Sequence, residues 1–215
     1  MANTIKTIKS ADGDVIDCVN ILKQPAFDHP LLQNHTIQMR PSSYPKRIEA
    51  KDNVRKLQQP WHLNGRCPEG TVPIHRTQKS DKKYPKGVTR PQSDSEVTKG
   101  HEYAIAWADY DKYMGGKAEI NIWNPRVQAG GDFSVSQIWL MSKNIQTSIE
   151  VGWIADGYVN TGCYNLQCSG FVQVNHAIAL GGTVTPISVF DGPQYKMTVS
   201  IFKASMKTND EDLAS

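Results

Sequence analysis

From His101 onward the apolar residues recur with a period of two, and no convincing helical stretch accompanies them. Tyr103, Ile105 and Trp107 fall on one strand face; Ala118, Ile120 and Ile122 fall on another. Further strands are expected at Phe133–Met141, Ser148–Ile154, Phe171–Ala179, Thr183–Ser188 and Tyr195–Phe202. Turns such as Gly130-Gly131-Asp132 and Asp191-Gly192-Pro193 separate them. Many strands joined by short turns predict a mainly β protein built as an antiparallel β-sandwich.

Residues 1–76 read as a small unit of their own. Ser10-Ala11-Asp12-Gly13-Asp14 predicts a hairpin turn between Thr4–Lys9 and Val15–Ile21, because Asp-Gly reaches positive φ at little cost. Pro25, Pro30, Pro41 and Pro45 forbid a regular helix beyond it. Arg47 to Gln59 is polar and predicts a short helix ending before Pro60. Trp61 to Pro68 forms a compact apolar anchor, and Val72-Pro73-Ile74-His75-Arg76 reads as a closing edge strand. Residues 77–100, rich in Lys, Ser, Asp, Pro and Gly, lack periodicity and read as a linker to the sandwich at 101–215.

With 215 residues the chain has length for one sandwich-sized domain and a smaller one. Net charge is +3, and the basic residues gather between Arg76 and Arg90 among Ser, Pro and Gly. A nucleic-acid binder would set them on folded faces beside aromatics, so no nucleic-acid partner is expected. No apolar run reaches membrane-spanning length, which removes a helical membrane anchor from the expectations. Met1 to Lys6 has no hydrophobic core of the secretory kind.

Among residues that could carry chemistry, Glu150 projects from the strand face opposite Ile149 and Val151. From the residues alone it is either a solvated strand glutamate or a groove carboxylate. Cys163 and Cys168 lack the companion Cys or His pair of a zinc site. Asp28-His29 and His35 suit a structural role, and the strand-rich context with Cys168 argues against a Cys163–His176 thiol site. The chain has no Gly-x-Ser-x-Gly elbow, phosphate-binding glycine loop or His-Glu-x-x-His helix. No cofactor and no metal are expected.

Two blocks carry a resemblance. Asp17-Cys18-Val19-Asn20-Ile21-Leu22-Lys23-Gln24-Pro25-Ala26-Phe27-Asp28-His29-Pro30-Leu31-Leu32, continuing through Asn34-His35-Thr36-Ile37-Gln38-Met39-Arg40-Pro41-Ser42, resembles the activation-peptide domain of the plant neprosin family. Gly162-Cys163-Tyr164-Asn165-Leu166-Gln167-Cys168-Ser169-Gly170-Phe171 resembles the hallmark of that family's catalytic domain, and the match runs from Ile5 to Phe202. The resemblance implies a secreted glutamic endopeptidase, made as a proenzyme, that cleaves proline-containing peptides and proteins after proline. It implies that the prodomain acts as an intramolecular inhibitor of its own chain. It makes Glu150 one of two catalytic glutamates, with Gln137 and Trp139 as groove positions. One carboxylate must be ionised to take a proton from water, the other protonated to assist the leaving amine. The resemblance also implies a Cys163–Cys168 disulfide bracing a loop beside the groove; on that pairing Cys18 and Cys67 are left to each other. Asn34-His35-Thr36 is a glycosylation sequon, in keeping with the secretory pathway, where disulfides persist.

The sequence departs from the family at two places. The stretch between Trp153 and Thr161 is shorter than the pattern, and the chain leaves the pattern at Ala204, before the strand of the second glutamate. Glu211 has no strand-like alternation around it and is a poor substitute. The expectation is therefore a sandwich incomplete at its C-terminus and a chain inactive as it stands, starting too late to carry the family's signal peptide. The competing expectation is a non-catalytic remnant that binds partners or is a pseudogene product.

Overall fold

The computed structural model describes residues 3–45, 58–76, 102, 104–106, 108, 113–127, 134–141, 148–154, 166 and 170–203. Over these residues the protein is mainly β, its strand ladders are all antiparallel, and its helical turns are all of the short 3-10 kind.

A three-stranded sheet comes first, in the order β1 (Thr4–Lys9), β2 (Val15–Asn20), β3 (Thr71–His75). The Asp12-Gly13 turn joins β1 to β2: Gly13 takes φ 99°, and the Ser10 amide donates to the Asp14 carbonyl at 2.8 Å. Pro25, Pro30 and Pro60 each open a 3-10 turn, at a position where the missing N–H costs no hydrogen bond. Of the helix expected over Arg47–Gln59, only Gln58 and Gln59 are described, and neither is helical; Gln58 instead forms an antiparallel bridge with Thr185.

This sheet is buried on both faces, so β2 buries four consecutive residues, Ile16 to Val19. On one face Ile8, Ile16 and Cys18 pack with Trp61 and Ala179, with Cys67 against them. On the other, Val19, Val72 and Ile74 pack with Ile21 and Leu166. Each cover therefore includes a residue from far downstream, Ala179 on one side and Leu166 on the other. Full burial of such a side chain contributes about 1.5–3 kcal/mol. Asp17, fully buried among them, accepts from Arg76 Nε at 2.8 Å, Arg76 Nη2 at 2.5 Å and Thr7 Oγ1 at 2.7 Å. Burial pushes its pKa up, but the hydrogen bonds from Arg76 and Thr7 and the guanidinium charge prevail and hold it below the ordinary carboxylate value.

Backbone bonds from Arg76 to Val15 and from Ile21 to Gly70 turn the even-numbered residues of β3 toward β2. Pro73 thus points its carbonyl, and its missing N–H, at the outer edge, where a proline is tolerated. That edge is covered. Gln173 Nε2 donates to the Pro73 carbonyl at 3.1 Å, and Leu180 forms a parallel bridge with Ile74.

Beyond it lie two strand pairs: β4 (Gly115–Asn121) with β7 (Lys196–Phe202), and β5 (Val135–Met141) with β6 (Ser148–Ile154). Gly116 of β4 lies against Ile138 and Leu140 of β5; a Cβ there would fall 2.9 Å from Ile138 Cδ1. These four strands stand where the alternation predicts them. Three other expectations fail or fall outside the described residues. Phe171–Ala179 and Thr183–Ser188 are not strands but an irregular run with isolated bridges, because its backbone groups bond to glutamine side chains of the first unit rather than to a ladder. Ile105 belongs to no strand and is 45% exposed, while Tyr103 and Trp107 are not among the described residues.

Candidate active site

The β5–β6 register pairs Trp139 with Glu150 and Gln137 with Gly152. Cross-strand partners share a face, so Gln137, Trp139, Glu150 and Gly152 lie together on one side. Ile138 and Leu140, with Ile149 and Val151, lie on the other, which is the side that meets Gly116. Glu150 consequently faces away from β4. It is exposed, while Gln137 and Trp139 are half-buried beside it.

Gln137 Nε2 donates to Glu150 Oε2 at 2.8 Å. The two are diagonal neighbours across the ladder, a distance that long side chains span. An amide donor fixes the direction of the carboxylate, which suits a proton acceptor that must meet a water. Gly152 makes this approach feasible. A Cβ on it would lie 2.6 Å from both Cα and Cβ of Gln137 and still closer to the Ser136 carbonyl oxygen. Alternation alone does not single out this glycine, although a glycine inside a strand is itself a signal of close backbone approach. Tyr113 supports the far end of β5, its hydroxyl donating to the Met141 carbonyl.

The structure thus brings Glu150, Gln137 and Trp139 together. The described strands carry two further acids, and both are committed to ion pairs: Asp17 to Arg76, and Glu119 to Lys196 at 2.5 Å. Glu119 lies on the face of β4 opposite Gly116, turned from β5. Glu211, Cys163 and Cys168 are outside the described residues. Cys18 and Cys67 are joined by a disulfide with Cα atoms 5.3 Å apart. Asn34 is exposed in the turn after Pro30–Leu32. His29 caps that turn, its Nδ1 accepting from the Leu31 amide at 3.2 Å, a structural use of the Asp28-His29 pair. Among the described residues no group of three His, Cys, Asp or Glu side chains gathers as a metal site, and no helix is long and apolar enough to cross a membrane.

A further acid, Asp14, lies far from these strands in sequence. It accepts from His75 Nε2 at 3.0 Å and from the Thr183 amide at 2.8 Å, so it ties the hairpin to the downstream run. Burial works to raise its pKa, and the bonds from His75 and Thr183 overcome it and lower it.

Comparison with known families gives two matches. A model described as neprosin activation peptide matches residues 7–107, and a model described as neprosin matches residues 143–209. The three-stranded sheet, apart from the first three residues of β1, falls in the first match; Glu150, Leu166 and the run from Gln173 to Thr185 fall in the second.

Proposed function

This chain belongs to the neprosin family, with its activation peptide preceding the neprosin domain, and from that premise we propose a glutamic endopeptidase precursor acting on proline-containing peptides. The observation that carries it is the Gln137–Glu150 hydrogen bond on the face of β5–β6 turned from β4. Glu150, oriented by Gln137, takes a proton from water as the water oxygen bonds to the peptide carbonyl carbon. A second, protonated acid polarises that carbonyl and passes its proton to the departing amine as the C–N bond breaks. Trp139, directly across the ladder, offers an apolar wall suited to a proline ring. In this reading the neprosin strands complete a two-sheet sandwich, the activation peptide restrains the enzyme within its own chain, and the protein passes through the secretory pathway. Exposed Asn34 in its sequon and the Cys18–Cys67 disulfide support that route.

A second reading rests on the ion-paired state of the other strand acids. With Asp17 and Glu119 both committed, the described strands offer Glu150 no second acid, and on this reading the protein is a non-catalytic neprosin-domain protein that binds rather than cuts. Incubation of the recombinant chain with a proline-containing peptide at acidic pH, after the linker is cut and the activation peptide removed, decides between them. An intact peptide supports the second reading. Turnover abolished by Glu150→Gln supports the peptidase reading, and turnover indifferent to that substitution removes Glu150 from the chemistry.

A further inference from the structure

Three glutamines join the activation-peptide region to the neprosin region, and all three are buried. Gln24 reads both backbone groups of one residue: its Oε1 accepts from the Gln173 amide at 2.7 Å and its Nε2 donates to the Gln173 carbonyl at 3.0 Å. Gln59 treats Ala179 in the same way, accepting from its amide at 2.8 Å and donating to its carbonyl at 2.8 Å. Gln173 answers in the opposite direction, donating to the Pro73 carbonyl. Each amide stands in for a strand neighbour, so the run gains the hydrogen bonds of a sheet without becoming one.

Around these bonds the two regions stay in touch. The Thr183 amide donates to Asp14, Gln58 bridges Thr185, and His62 Nε2 lies 2.6 Å from the Ala177 carbonyl oxygen. Leu166 covers one face of the first sheet and Ala179 the other, so the chain passes from face to face over the β3 edge. A tether in sequence would leave the two parts meeting at a rim. Here the downstream run completes both cores of the upstream sheet.

We infer that the activation-peptide domain is a non-covalent partner of residues 170–185 and stays bound after the chain between them is cut. Cutting the connection is then only the first step of release; opening the glutamine lock is the second. Recognition is through backbone groups at residues 173 and 179, which fits an extended segment, with the Gln173 side chain on the Pro73 carbonyl and the Ala179 methyl in the core adding to it. Cys18 and Cys67 both precede the cut, so their disulfide does not link the two fragments.

The test places a recognition site for a sequence-specific protease between residues 88 and 89 of the full chain and cuts it under native conditions. Size-exclusion chromatography should return both fragments in one peak of the uncut size, separating only in denaturant. Two peaks in native buffer would overturn the inference. The double substitution Gln24→Leu with Gln59→Leu should weaken retention after cutting by ~10-fold or more, since it strands buried donors and acceptors. If that variant does not fold uncut, hydrogen exchange on the uncut wild-type chain serves instead. The Gln173 and Ala179 amides should exchange as slowly as those of β2, and exchange at loop rates would refute the lock.

Discussion

Replacing Gln59 by leucine isolates the energy of the lock, because the two side chains are similar in volume and differ in what they bond. Gln59 makes four hydrogen bonds: to the Ala179 carbonyl and amide, to the Gly182 carbonyl at 3.2 Å and from Trp61 Nε1 at 2.9 Å. Ala179 and Trp61 are each 1% exposed, so water cannot replace the lost partners without rearrangement. Two buried N–H groups, those of Ala179 and of the Trp61 indole, are left unpaired at about 1–3 kcal/mol apiece, while the Ala179 carbonyl keeps its bond from the Gly182 amide, so the loss should be about 2–6 kcal/mol. That is a large part of an ordinary margin of about 5–15 kcal/mol. With a slope of about 2 kcal/mol per molar urea, the unfolding midpoint should fall by roughly 2 M. Gln33→Leu, on an exposed residue, should stay within about 0.5 kcal/mol of wild type. Gln59→Glu sharpens the test. A carboxylate still accepts from Ala179 and Trp61 but meets two carbonyl oxygens where the amide donated. Its folded pKa is therefore raised, so the variant is near wild type in acid and loses stability as pH rises through that value. A Gln59→Leu midpoint matching Gln33→Leu at unchanged slope would refute the reasoning.

Gly152→Ala should push β6 from β5, since its methyl meets Gln137 at 2.6 Å; the expected cost is about 1–3 kcal/mol by thermal melt, and the Gln137 side-chain amide signals should shift in NMR spectra as its bond to Glu150 breaks. Asp14 and Asp17 have folded pKa values below the ordinary 3.8, so their stabilisation is complete above that value and is lost as pH falls through the lower folded values. Urea melts should thus be level with respect to these groups from neutral pH down to 3.8 and fall below it, and Asp14→Asn with Asp17→Asn should flatten that fall. Reducing Cys18–Cys67, which spans 49 residues, should cost about 4 kcal/mol in the chain-entropy model, measured by comparing melts with and without reductant.

Period-two alternation locates most of the strands because a strand with one face covered writes that cover into its own residues. Ile120 and Ile122 are buried while Glu119 and Asn121 are exposed, and the sequence shows the same alternation. The run from Phe171 to Ser188 defeats the same rule. Its residues alternate as a strand would, yet the partners of its backbone are side chains 149 and 120 positions away, and no local pattern announces them. Gln24 and Gln59 look like surface residues in the sequence; only the fold shows that each is buried with its amide fully used. The site is legible in part. Alternation puts Glu150 opposite Ile149 and Val151, but the Gln137 partner depends on the β5–β6 register, which the alternation of either strand alone does not fix.

The sheet of β1 to β3 also bears on what counts as a unit in this chain. Ile8, Ile16 and Cys18 on one face and Val19, Val72 and Ile74 on the other are not all covered from within residues 3–76, since part of each cover arrives only with Ala179 and Leu166. A three-stranded sheet left with one open face would expose apolar surface and the β3 edge together, which is a pairing hazard as well as a loss of burial energy. The boundary that composition draws between 76 and 101 is therefore a boundary of sequence character, whereas the packing crosses it. Asp14 shows the same on the polar side, holding His75 from within the first unit and Thr183 from beyond it with one carboxylate. Stability of the activation peptide and correct placement of the segment after the neprosin cysteine block are consequently one equilibrium, and a substitution on either side of the linker acts on both.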